Sequence, residues 1–189
     1  HHQRHRSESR FVREVFVNLK SLLRIPAVRL ILVMSIAVFG INHGMGNWLV
    51  EILKQLGLNA EQASLWAAVP VGVGILSALT LPRLATGRRR FQILIVLFSA
   101  SVVASTLLLF QPTGLILLMT LVFEGIAAGS MMTVLLLTLV EVPEVGERRA
   151  GTASGFFFAA AEIGGVGGPV LLGSLFALNG NFDLSLAAL

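Results

Sequence analysis

The chain has 189 residues, of which 55% are hydrophobic and only 13% charged, with a net charge of +4. A soluble domain carries about 25% charged residues, so the composition excludes an ordinary water-soluble fold. The basic residues flank apolar runs instead of gathering into a nucleic-acid patch, and the lack of cysteine excludes disulfides and thiolate metal sites.

Residues 1–10 are polar and basic, and His1, His2 and His5 read as part of a solvated tail. Phe11, Val12, Val15, Phe16, Leu19, Leu22 and Leu23 then share one helical face, with Arg10, Arg13, Lys20 and Arg24 elsewhere. That pattern predicts a basic amphipathic helix lying on the membrane surface or docked on another part of the protein. Pro26 suits the first turn of the next helix. Five apolar stretches follow, at 29–53, 61–84, 91–110, 114–140 and 151–178, each long enough to cross a bilayer, which needs about 20 residues. The last is crowded with glycine and contains Pro169, a composition that weakens a helix in water but lets backbones approach closely in lipid. Residues 182–189 read as the start of a sixth span and are too few to cross. The expected fold is therefore all-α. It is a polytopic membrane helix bundle of five complete transmembrane helices plus a truncated sixth. Residues 1–25 are expected to be a cytoplasmic basic segment with an amphipathic surface helix, and residues 26–189 the bundle.

If five spans alternate, all but Lys54 of the 14 Lys and Arg residues fall on one side. The positive-inside rule assigns that side, and the N-terminus, to the cytoplasm.

An ionisable group at membrane depth costs roughly 2.5–3.5 kcal/mol on insertion scales, so such groups face a bundle interior or a wet cavity. His43, Glu124 and Glu162 fall near the midplane. The two carboxyl groups read as proton carriers or as ligands for a cationic group, or else as structural hydrogen-bonding groups between helices. His43, Asn47, Glu51 and Lys54 recur at helical spacing, a polar stripe suited to a cavity wall, with Asn42 and Trp48 beside it. Trp48 also suits an interfacial anchor. Pro70, Pro82, Gly72 and Gly74 mark the second span as bent or as a close-packing surface. The third span, with only scattered hydroxyls, reads as peripheral. Gly40/Gly44, Gly125/Gly129, Gly151/Gly155 and Gly164/Gly168 are small-xxx-small pairs expected to pack helices together.

Three stretches resemble the major facilitator superfamily. Leu81-Pro82-Arg83-Leu84-Ala85-Thr86-Gly87-Arg88-Arg89-Arg90 is similar to the family's loop motif Gly-x-Leu-Ala-Asp-Arg-x-Gly-Arg-Arg, with Pro82 for the leading Gly, Thr86 for the Asp and two residues fewer. Val142-Pro143-Glu144 through Arg149 to Gly155 resembles the charged loop entering the family's eleventh helix. Gly164-x-x-x-Gly168-Pro169-x-x-x-Gly173 resembles the glycine–proline pattern of the fifth helix in exporters. The resemblance implies the C-terminal half of such a transporter, helices seven to eleven and the start of twelve, with a site at midplane facing a missing N-terminal six-helix half. It implies a cytoplasmic gate built from Arg83, Arg88, Arg89, Arg90, Glu144, Arg148 and Arg149.

The expected function is a secondary active, proton-coupled carrier of a small solute working by alternating access. A non-transporting scaffold or sensor, or a half-size membrane protein derived from a transporter, is the alternative. Substrate contacts are expected from Asn42, His43, Asn47, Trp48, Glu124 and Glu162, and proton coupling from Glu124 and Glu162. The expected partners are the solute, H+ and the lipid of a cell membrane, with a bacterial inner membrane suggested by composition. No nucleotide-binding loop, nucleophile–base set or metal cluster is present in the sequence, so neither cofactor, metal nor enzyme activity is expected.

Overall fold

The computed structural model describes residues 17–188. The tail and the first part of the amphipathic segment, residues 1–16, lie outside the described residues, as does the side chain of Arg88. Residues 17–22 are helical, with Leu22 buried. Six helices follow: α1 (Pro26–Gln55), α2 (Ala60–Leu84), α3 (Arg88–Leu109), α4 (Gly114–Val140), α5 (Gly146–Asn179) and the short α6 (Asp183–Ala187). No strand occurs among the described residues.

Local chemistry sets the ends. Pro26 opens α1, where its missing N–H costs nothing. Gly57 then turns the chain at φ 89°. Asn59 begins α2 with a reciprocal capping box: its side chain accepts from the Gln62 N–H at 2.8 Å, and Gln62 accepts from the Asn59 N–H at 3.2 Å. Gly180 closes α5 in the left-handed region at φ 72°, returning its N–H to the Phe176 carbonyl at 2.8 Å. Pro143 does interrupt the chain after α4, but α5 starts at Gly146, five residues earlier than the apolar run. Arg148 and Arg149 therefore ride on its first turns instead of lying in a loop.

Five helices, α1 to α5, are long and apolar enough to cross a membrane. They pack as two close pairs. α1 crosses α5 where Gly40 and Gly44 face Gly164 and Gly168. A Cβ on Gly168 would stand 2.7 Å from the Gly40 carbonyl carbon, and one on Gly164 would stand 2.7 Å from the carbonyl carbon of Ile36. α2 crosses α4 where Gly74 and Pro70 meet Gly125 and Gly129. In lipid no hydrophobic drive joins helices, so contact of this closeness supplies the dispersion energy instead. The Gly151/Gly155 pair departs from expectation: nothing lies within 4 Å of either position. α3 packs mainly on α4, with Phe91, Val96 and Val102 turned outward.

Buried residues form two clusters. One gathers Leu22, Val28, Ala85, Val142 and Val145. The other gathers Leu53, Ala63, Leu108, Leu117 and Phe182. The starts of α1, α3 and α5 thus share one end of the bundle with the finishes of α2 and α4.

Candidate functional site

α1 has two unlike sides. Towards α3, Leu30, Ile31 and Met34 line an apolar groove with Leu94, Phe98 and Leu135. The other side carries Asn42, His43, Gly46 and Asn47 and is left open.

On that open side a cleft of about 390 Å³ lies between α1, α2 and α4. Asn42, Met45, Gly46 and Leu49 form one wall, and Ala67, Pro70, Val71, Gly74, Ile75 and Ala78 the second. Glu124, Ala128 and Gly129 form the floor. The glycine crossing creates this shape. A Cβ at Gly125 would stand 2.6 Å from the Pro70 carbonyl oxygen, so the backbones of α2 and α4 touch beneath the cleft. Ser77 locks the crossing by donating to the Ile126 carbonyl at 2.8 Å and contacting the Ser130 hydroxyl. Asn42 ties in α1 by donating to the Ala128 carbonyl at 3.3 Å.

Glu124 is 3% exposed, and its Oε2 has no hydrogen-bond partner among the described residues. A buried polar atom in that condition is uncommon and calls for an explanation.

Glu162 sits differently. The crowding of glycines on α5 suggests a shielded carboxyl, yet its side chain is exposed on the open face, because the glycines at 164 and 168 turn towards α1 and carry Glu162 away from the contact. Gly165 lies between it and α1. The point where a Cβ on Gly165 would stand is 3.3 Å from Glu162 Oε2 and 3.7 Å from His43 Nδ1, so the two side chains converge there. His43 stacks on Phe39 at 5.0 Å between centroids, with its Nδ1 at 3.1 Å from the Phe39 carbonyl. A carbonyl only accepts, so this bond assigns the hydrogen to Nδ1. Asn47 is exposed and donates to the His43 carbonyl at 2.8 Å. Glu51 and Lys54 pair at 2.7 Å at the end of the same stripe.

Trp48 is not free for a ligand at its polar atom. Its indole N–H donates to the Pro169 carbonyl at 2.9 Å, and its ring packs near Phe182 at 5.6 Å and Phe176 at 6.2 Å. Gly173 supplies the space, since a Cβ there would stand 2.7 Å from the ring. Trp48 therefore ties α1 to α5 and to the entry of α6.

The basic end holds the residues expected at a gate. Arg90 pairs with Glu141 at 2.7 Å and donates to the Ala85 carbonyl at 3.1 Å, joining the start of α3 to the finish of α4. Arg149 donates to the Val145 carbonyl at 3.2 Å, to the Glu144 carbonyl and to the Ser21 hydroxyl at 3.1 Å. Glu144 thus contributes its backbone. Arg83, Arg89 and Arg148 are exposed. Glu141 and Ser130 escape a reading of the sequence. Each has its partner on another helix, and only the opposite sign of Glu141 and the Arg88–Arg90 cluster hints at the first pair. Among the described residues no group of three or more His, Asp or Glu gathers to hold a metal.

The family model of the Major Facilitator Superfamily matches residues 1–169. The chain belongs to this superfamily. No curated protein and no solved structure matches it. The superfamily is one of membrane transporters. With five apolar spans, the chain is a multi-pass membrane protein of that kind.

Proposed function

We propose that the chain is the C-terminal half of a proton-coupled secondary carrier that moves a small solute by alternating access. The missing N-terminal six-helix half covers the open side of α1, α2, α4 and α5. Asn42, His43, Asn47, Glu124 and Glu162 contact the solute, Trp48 supports the wall, and Glu124 and Glu162 carry protons. Arg83, Arg88, Arg89, Arg90, Glu144, Arg148 and Arg149 belong to a cytoplasmic gate, with the Arg90–Glu141 and Arg149–Ser21 links as its latches. The N-terminus is cytoplasmic, and the membrane is a bacterial inner membrane.

One observation carries this reading: Glu124, buried at the floor of the cleft between α1, α2 and α4, has a carboxyl oxygen without a partner. A structural carboxyl would be satisfied on both oxygens. One that exchanges protons keeps an oxygen without a fixed partner.

Gln keeps the shape and hydrogen-bonding capacity of Glu but cannot titrate. In proteoliposomes of the full-length protein, Glu124→Gln and Glu162→Gln should leave expression intact, abolish accumulation driven by a pH gradient and preserve downhill exchange at saturating solute. Parental accumulation by both variants at every pH tested would rule the coupling role out.

A further inference from the structure

We infer that the Glu124 cleft binds an organic monocation with a largely apolar body. The inference rests on the carrier reading above and names the chemical class of its substrate.

The argument is one of counting polar partners. Oε2 of Glu124 has none, and the Asn42 amide nitrogen is engaged by the Ala128 carbonyl. The remaining lining is apolar, and it includes Met45, Leu49, Val71 and Ile75. The cleft holds no Lys, Arg, His, Ser or Thr among its described lining residues. Its side chains therefore offer acceptor oxygens, from Glu124 and from the Asn42 amide, with scarcely a donor. An anion entering it would meet a carboxyl and, on these walls, no cation to offset desolvation. A polyol would bring several hydroxyls and find too few fixed partners, and each buried polar group left unpaired costs affinity. A bare inorganic cation needs several oxygen ligands to replace its water, roughly six to eight for calcium, and the walls lack them. A single positive charge on an apolar frame fits every term. The charge meets the unpaired Glu124 carboxyl at the floor, and the frame meets methyl and thioether surface across about 390 Å³, within the usual range of small-molecule pockets.

Tetraphenylphosphonium and tetraphenylborate have nearly the same shape and opposite charge, which makes them a matched pair of probes. Equilibrium binding of radiolabelled tetraphenylphosphonium to the full-length protein in nanodiscs should be saturable. Tetraphenylborate should not compete. Glu124→Gln should weaken binding by at least about tenfold, the scale of one lost charge-assisted bond. Glu61→Gln, at the exposed start of α2, should stay within twofold as the charge control. Gly46→Leu gives a second route should Glu124→Gln fold poorly. Nothing lies within 4 Å of a Cβ at Gly46, so the new side chain enters the cleft without displacing a neighbour, and it should also abolish binding. Unchanged affinity in Glu124→Gln or in Gly46→Leu, or equal binding of the borate, would overturn the inference. No pH gradient is present in the measurement, so an uncoupled protein still gives a clear answer here. Loss of coupling in the accumulation assay leaves this result standing on its own.

Discussion

At the scale of single residues, position along a span was legible and exposure was not. Glu124 and Glu162 both lie near the middle of apolar spans, and the sequence treats them alike. The bundle buries the first and leaves the second open, because exposure depends on which side of the helix meets a neighbour. Trp48 makes the same point. A tryptophan beside a polar stripe looks available to a ligand, yet its N–H already serves the Pro169 carbonyl at 2.9 Å. Trp48→Phe removes that bond together with the outer part of the indole that packs on Gly173. The expected cost is at least about 1 kcal/mol of stability, read as a lower unfolding temperature in detergent, with solute affinity unchanged. A loss of affinity with no change in unfolding would make Trp48 a solute contact after all.

At the scale of helices, small-residue spacing announced close packing without naming the partners. Gly40/Gly44 and Gly164/Gly168 belong to one crossing, and Gly125/Gly129 meets Gly74 and Pro70 at another. Both are contacts between helices far apart in the chain, so a local pattern carries no record of them. Gly151/Gly155 has the same spacing and touches nothing within 4 Å. The helix ends were easier to read, since Pro26, Asn59 and Gly180 act through their own backbone and near neighbours. The crossing of α1 and α5 sharpens an expectation about size. From the sequence, Gly168→Leu should be harmful and Gly168→Ala milder. With the Gly40 carbonyl carbon 2.7 Å from the position of a Cβ, a single methyl already forces two backbones apart. Gly168→Ala should therefore destabilise by about 1–3 kcal/mol, seen as reduced folded yield and a lower unfolding temperature. Gly167→Ala, one residue away in open space, should be neutral or slightly stabilising through helix propensity. Equal behaviour of the two alanine variants would mean that α1 and α5 do not cross at these glycines.

At the scale of the whole molecule, the charge pattern and the packing support one another from independent starting points. Alternation of five spans puts every Lys and Arg except Lys54 on one side. The buried cluster of Leu22, Ala85, Val142 and Val145 brings the corresponding segments to one end of the bundle, and the Arg149–Ser21 and Arg90–Glu141 links stand at that same end. Lys54 lies at the opposite end, near Leu53 and Phe182. Basic residues flanking spans are retained on the cytoplasmic side during insertion, so this end should face the cytoplasm and the Asn59 turn the exterior. A reporter active only in the cytoplasm should be active when fused after Arg89 and silent when fused after Asn59, and a reporter requiring export should give the reverse. Because the two fusion points bracket α2 alone, they test a single crossing and do not depend on the remaining spans. The opposite pattern would invert the bundle. The Arg90 and Arg149 links would then close an external gate, and the cleft at Glu124 would be loaded from the other side.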